Sequence, residues 1–109
     1  MATTAEARVT ARRMALGETN GFLGTRFVGR EARERAEAAL EKGLDLVLDW
    51  RGVDMVSQSF ADEFVGKLAL EMGREEFKRR VRFANLDPAV ASIVRYTLAL
   101  RLAPPKTLH

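Results

Sequence analysis

The stretch LDLVLDW, residues 44–50, decides the fold class of this 109-residue chain. It is short and mostly apolar at alternate positions, and Gly43 and Gly52 bound it, which is typical of a strand buried in a sheet. Segments with helical patterns lie on both sides of it along the chain. A strand between helices predicts a parallel α/β sheet, because parallel strands are usually joined by crossover helices.

Three helices are predicted around that strand, each from its own start signal. The first begins after an N-cap at Thr25, carries apolar residues at spacings of three and four, and stops at Gly43. The second begins with Ser59 as its N-cap and ends at Gly73. The third begins at Asp87, which is followed by a proline at the first helical position.

Two further strands complete the predicted sheet. Residues 81–84, VRFA, form a short strand, and a weak alternation within residues 7–16 suggests an edge strand. The alternation of strands and helices predicts a small α/β domain with an open, mainly parallel sheet and helices packed on it. At this length one domain spans residues 1–109, with loose tails at 1–6 and 103–109.

The composition argues against most kinds of active site. The chain has no cysteine, which excludes thiol catalysis and cysteine-ligated zinc, and its one histidine is the terminal residue, His109. We therefore expect no enzyme activity, no cofactor and no metal site. No apolar run approaches the roughly 20 residues of a membrane span, and residues 1–16 hold no apolar core of signal-peptide length, so we expect a cytoplasmic protein that does not bind membranes.

The segment DWRGVDMVSQSFADEF, residues 49–64, is the candidate functional site. It joins a strand end, a polar loop and a helix N-terminus, whose free amide groups suit an anion or a partner. Asp62 and Glu63 in the first turn are also explained by the helix dipole. Asp49 interrupts an apolar strand at the end where open sheets bind ligands; it either accepts from a backbone amide or pairs with Arg26 or Arg51.

The run LVLDWRGVDMVSQSFADEFVGKL, residues 46–68, resembles the signature of a STAS-like family of unknown function. The flanking segments FLGTRFVGREARER and FKRRVRFANLDPAVASIV resemble the same family, so the similarity extends from about Phe22 to Val94. That family is distantly related to the STAS domains of anti-sigma-factor antagonists. These relatives bind an ATPase-type kinase or an anti-sigma factor, and phosphorylation of a serine where a loop meets a helix breaks the complex.

The resemblance implies a non-enzymatic regulatory module that docks an ATPase-fold kinase or an anti-sigma-like regulator through residues 53–64. The phosphoacceptor position of the relatives aligns with Gln58, which has no hydroxyl, so Ser59 and then Ser57 are the candidates for a switch. The implied partner-binding and switch residues are Ser59, Ser57, Gln58, Phe60, Asp62 and Glu63.

Thr25 and Arg26 match another pair of residues that recurs in the family. In one interpretation Arg26 is the charge partner of Asp49 or Asp62 and organises the site. In the other, the pair is simply a helix cap and an exposed arginine. The residues by themselves leave both interpretations open.

Two other functions are consistent with the residues. The basic segment 74–82 would serve a nucleotide- or nucleic-acid-binding domain, although net charge is only +3 and acidic residues are interspersed, which favours a solvated surface. An enzyme would instead gather Asp49, Asp62 and Glu63 around Mg²⁺ or Ca²⁺. The oligomeric state is left open by the sequence.

Overall fold

The sheet is parallel and has three strands in the part of the chain that the computed structural model describes, residues 10–18 and 23–103. Strands β1 (Ala11–Ala15), β2 (Asp45–Asp49) and β3 (Val81–Ala84) pair in the order β1-β2-β3, so the predicted central strand is indeed central. The α/β fold class is confirmed. The predicted edge strand is present from residue 11. Residues 7–9 and the predicted tails at 1–6 and 103–109 lie outside the described residues, apart from Ala103, which is exposed.

Four helices pack with this sheet in the described residues. Helix α1 is Arg26–Glu41, helix α2 covers residues 58–72, helix α3 is Arg74–Arg80 and helix α4 is Pro88–Leu102. Helix α2 is continuous but changes its winding twice. Its segments are Gln58–Ala61 (α-helical), Asp62–Gly66 (π-helical) and Lys67–Met72 (α-helical).

The helix starts agree with the sequence at two of three places. The Thr25 hydroxyl accepts from the Val28 amide at 3.1 Å, and the Asp87 carboxylate accepts from an amide in the first turn of α4 at 2.9 Å. The prediction that Ser59 caps α2 is wrong. Ser57 is the cap, because its hydroxyl oxygen accepts from the Phe60 amide at 3.0 Å, and Ser59 lies within the first turn.

Helix α3 is a short element that the sequence did not reveal. Phe77 is its only buried residue, and one apolar residue in seven produces no helical period. Its last residue, Arg80, is mostly buried and donates to the carbonyls of Leu40 and Leu44 at 3.0 and 2.8 Å. A segment that resembled a solvated run of charges therefore helps to fasten the end of α1 to the sheet.

The core lies on the helix side of the sheet. Leu46 and Leu48 of β2 are fully buried there, and the rings of Trp50, Phe60, Phe64, Phe77 and Phe83 form a chain of aromatic contacts with centroids 5.8–6.5 Å apart. The register places Arg13, Val47 and Arg82 in one row on the other face. Both arginines of that row are exposed, so the described helices cover one face of the sheet only.

Helices α1 and α4 approach α2 closely because a glycine lies at each contact. A Cβ on Gly29 would come within 2.9 Å of the Phe60 carbonyl oxygen and 3.0 Å of the Glu63 Cβ. A Cβ on Gly66 would come within 2.9 Å of the Thr97 methyl and 3.0 Å of the Asp62 carboxylate. The charged groups of the three helices can therefore reach one another across two short gaps.

We expect Gly29→Ala to destabilise the domain. Alanine normally gains about 1 kcal/mol over glycine inside a helix, but the new methyl group would meet backbone of α2, and overpacking costs about 1–3 kcal/mol. Chemical denaturation measures the free energy of unfolding. Ala38→Gly, on the exposed side of α1, is the control for propensity alone. Stabilisation by Gly29→Ala would contradict the close packing of α1 on α2.

Candidate partner-binding site

The Asp62 carboxylate joins three helices. Arg101 of α4 grips it with two hydrogen bonds, from Nε to Oδ1 at 2.7 Å and from Nη2 to Oδ2 at 2.8 Å. Arg26 of α1 donates from Nη1 to Oδ2 at 3.0 Å. A forked guanidinium contact is among the strongest pairings that a carboxylate makes. Asp62 is therefore engaged within the domain and Arg26 is its charge partner, while Thr25 also caps α1 and the Arg26 side chain is 54% exposed, so features of both interpretations are present.

These arginines change the acidity of Asp62. The hydrogen bonds from Arg101, followed by the one from Arg26, lower the pKa of Asp62 from 3.8 to about 2, against the opposing effect of burial. The same contacts raise the pKa of both arginines. Asp62 is thus a stable anion at neutral pH and a poor candidate for a group that exchanges protons with a substrate.

Glu63 lies deeper and has three cationic partners. Its side chain is 8% exposed, and its oxygens lie 2.9 Å from Arg33 Nη2, 3.1 Å from Lys67 Nζ and 3.3 Å from Arg26 Nη1. Burial alone would raise the pKa of Glu63, but the bonds from Lys67, Arg33 and Arg26 outweigh it and leave the pKa below its ordinary value. Arg33 also donates from Nε to the Glu63 backbone carbonyl at 2.9 Å.

The π-helical turn of α2 begins at these two acids. The Lys67 amide donates to the Asp62 carbonyl five residues before it, which is the bond that defines a π-turn. Such turns are frequent at functional positions. Here the turn carries Asp62 and Glu63 to different neighbours: Asp62 bonds to both flanking helices, while Glu63 bonds mainly to α1 and to Lys67 on the next turn.

Asp49 belongs to a separate cluster at the carboxyl end of the sheet. It accepts from the Asn85 side chain at 2.8 Å, from the Arg51 backbone amide at 3.1 Å and from Arg13 Nε at 3.0 Å, which together lower its pKa to about 2. The predicted backbone amide is thus present, whereas neither predicted arginine side chain is its partner. The cluster ties β1, β2 and the loop after β3 together.

The structure does not bring Asp49 to Asp62 and Glu63. Asp49 alternates with the buried Leu48 and so faces away from the helices, and the two clusters share no partner. Among residues 10–18 and 23–103, no three acidic or histidine side chains converge as a metal would require. Within the same residues, no helix is long and apolar enough to cross a membrane.

The six candidate residues around the start of α2 fall into two groups. Phe60 is fully buried in the aromatic core and Glu63 is buried in its ion pairs, so the expectation that these two contact a partner does not match their positions. Gln58 is exposed and also donates to the Thr97 hydroxyl at 2.8 Å. The other accessible candidates are half-buried: Ser57, Ser59 and Asp62.

Sequence reasoning missed Arg33 and Arg101 as members of the site. Both lie on other helices, 30 and 39 residues from their acidic partners along the chain. Each lies beside the buried face of its own helix: Arg33 directly follows the buried Ala32, and Arg101 lies one turn after the buried Thr97. An arginine near an apolar stripe, on a helix expected to pack against two acids, is the signal that was available.

A family model for a STAS-like domain of unknown function (DUF4325) matches residues 28–91, which is more than half of the chain. The chain belongs to this family. The predicted resemblance is therefore confirmed, and the matched part of this STAS-like domain contains β2, α2 and β3 but not Arg26 or Arg101. Comparisons with curated proteins and with solved structures gave no match.

The pKa of Asp62 predicts an acid-sensitive domain. Because the folded pKa of about 2 lies below the unfolded value of 3.8, Asp62 stabilises the fold fully above pH of about 4. That contribution is lost as the pH falls towards about 2. Asp62→Asn should therefore lower the free energy of unfolding at pH 7 by about 1–2 kcal/mol, allowing for partial exposure. It should also make the fall of that free energy below a pH of about 4 less steep.

Urea titrations across this pH range measure the effect. Asp54→Asn, on the exposed loop before α2, is the control with the same change in charge. Asp49 titrates in the same window, so some acid sensitivity should remain in the Asp62 variant. An unchanged pH dependence in Asp62→Asn would show that the arginine contacts do not stabilise the fold.

Proposed function

We propose that this STAS-like domain is a non-enzymatic regulatory module of the cytoplasm that docks a protein partner, an ATPase-fold kinase or an anti-sigma-like regulator. The docking surface consists of the loop before α2 and the first turn of α2, residues 53–59. The matched family is of unknown function, so the regulatory class is supported by the distant resemblance of its STAS-like signature to the STAS domains of anti-sigma-factor antagonists. The choice of surface rests on one observation about this loop. Buried valines and backbone hydrogen bonds hold it in place, while the side chains between them stay exposed.

Anchors and exposed groups alternate along the loop. Val53 and Val56 are buried in the core, whereas Asp54 is exposed and Met55 is 67% exposed. The backbone is held by bonds from the Val53 amide to the Trp50 carbonyl at 2.9 Å and from the Ser57 amide to the Leu23 carbonyl at 3.1 Å. A fixed backbone lowers the entropy cost of binding, and methionine adapts its shape to a partner.

The ion pairs behind this surface determine which of its side chains remain for a partner. Since Asp62 and Glu63 are occupied by arginines and Lys67, the charges of the SFADE segment, residues 59–63, fix the helix in place. The groups left for a partner are Met55, Asp54, Gln58 and Ser59. Phe27, 61% exposed on the first turn of α1, adds an apolar side chain on the helix whose Arg26 reaches Asp62.

Ser59 is the residue we propose for regulation by phosphorylation, with Ser57 second. Ser59 does not cap α2, so a phosphate on it would leave the helix start intact. It would add nearly two negative charges in the turn that precedes Asp62 and Glu63. The phosphate would alter the charge of the docking surface and would compete with Asp62 for Arg26.

The nucleic-acid alternative gains no support from the basic segment 74–82. Arg79 and Arg80 pair with Glu76, and Arg80 also bonds to two carbonyls. Arg82 lies on the opposite face of the sheet from the helices. Only Arg74 and Lys78 of this segment remain on the helix side without a carboxylate partner among the described residues, whereas phosphate binding needs several free cations along one track. We do not propose this function.

We predict that Met55→Glu and Ser59→Glu abolish capture of an ATPase-fold kinase or regulator from native cells, because each adds charge to the docking surface. Quantitative affinity capture with mass spectrometry measures this, and the same spectra report phosphate on Ser59 or Ser57. The matched controls are Leu70→Glu and Ser92→Glu, which introduce the same glutamate at exposed apolar and serine positions elsewhere.

The proposal requires loss of the partner in the loop and α2 variants only, with circular dichroism unchanged. Equal capture by Met55→Glu and Leu70→Glu would show that the partner binds elsewhere. Recovery of no kinase or regulator by the unsubstituted protein would contradict the function itself.

A further inference from the structure

An apolar groove lies between α3, β3 and α4, away from the loop before α2. Its volume is about 540 Å³, within the range of sites that bind ligands and peptide side chains. Val81 and Phe83 of the edge strand β3 form its floor, since alternate residues of a strand share a face. Its walls are Phe77 from α3 and Leu98, Ala99 and Leu102 from α4.

Three cations surround this groove, and its lining contains no acid. Lys78 and Arg95 are exposed and make no ion pair with any residue that the structure describes. Arg74 donates to the Leu102 carbonyl at 2.9 Å, a neutral acceptor that leaves its charge uncompensated. Around α2 the reverse holds, because Arg26, Arg33 and Arg101 all contact carboxylates.

We propose that this groove is a second docking site, which binds an acidic amphipathic helix of another protein. Apolar side chains of that helix would enter between α3 and α4, and its carboxylates would pair with Arg74, Lys78 and Arg95. The apolar floor favours such a helix over nucleic acid, whose phosphates would gain nothing from Val81 and Phe83. The site shares no lining residue with residues 53–59, of which Gln58 donates to Thr97 on α4.

Fluorescence anisotropy tests this proposal with the full chain. The probe is a labelled helical peptide with leucines along one face and glutamates along the other. We expect it to bind, and we expect salt to weaken the binding because the charges are exposed. Its counterpart with lysines in place of the glutamates should not bind. Lys78→Glu combined with Arg95→Glu should weaken binding about tenfold or more.

Two controls separate the groove from general charge. Arg30→Glu combined with Lys42→Glu makes the same charge change at exposed positions on α1 and beyond its end, and should leave affinity unchanged within about twofold. Ala99→Glu, which puts an acid in the groove, should weaken binding, whereas Ala38→Glu on exposed α1 should not.

Several results would overturn the proposal. They are failure of the acidic peptide to bind the unsubstituted protein, equal binding by the double reversal at Lys78 and Arg95, and equal binding of the lysine peptide. Displacement of the peptide by a mixed oligonucleotide would assign the cations to nucleic acid. Self-association lost in Ala99→Glu would assign the groove to a second copy, and tighter peptide binding by Leu108→Asp would assign it to residues 104–109 of this chain.

Discussion

The arrangement of the helices depends on the ion pairs that the Asp62 carboxylate makes with arginines of two neighbouring helices. This carboxylate receives Arg26 from α1 and the fork of Arg101 from α4, and it lies on a helix that both neighbours approach over glycine. Each element needs the others: without Gly29 and Gly66 the helices would stand further apart, and without the arginines a half-buried anion would lack partners. The π-turn that starts at Asp62 is part of the same arrangement.

This constraint explains how a small domain can present a fixed surface without a large sheet. The loop before α2 is held by the buried side chains of Val53 and Val56 and by a helix that ion pairs join to both of its neighbours. The acids of the SFADE segment therefore act through position. They hold the first turn of α2 in place, with Gln58 exposed and Ser59 half-buried at its surface.

The sequence predicted the fold where local patterns determine it. The run at 44–50 identified the central strand, and Thr25 and Asp87 identified two helix starts, because caps and alternation are local features. It misplaced the start of α2 because Ser57 and Ser59 are both plausible caps, and the choice depends on Asp62 being held elsewhere. It missed α3 because Phe77 alone creates no period.

The candidate site could be predicted only in part. The segment 49–64 was recognised from its strand–loop–helix pattern, yet the roles of its residues depend on partners 30 to 39 positions away, such as Arg33 and Arg101. No single sequence reveals such long-range pairs. Asp49 and Asp62 likewise lie in one short segment of the chain, but their clusters are on opposite sides of the sheet. The separation follows from the register of β2, which points Asp49 away from the helices.

A double-mutant cycle between Asp62 and Arg101 tests this account most directly. The free energies of unfolding of Asp62→Asn, Arg101→Met and the combined variant would be compared with that of the unsubstituted protein at pH 7. We predict a coupling of about 1–2 kcal/mol, because each single substitution leaves a charged or polar partner without its bond. Effects that add within about 0.5 kcal/mol would show that the carboxylate does not join α2 to α4.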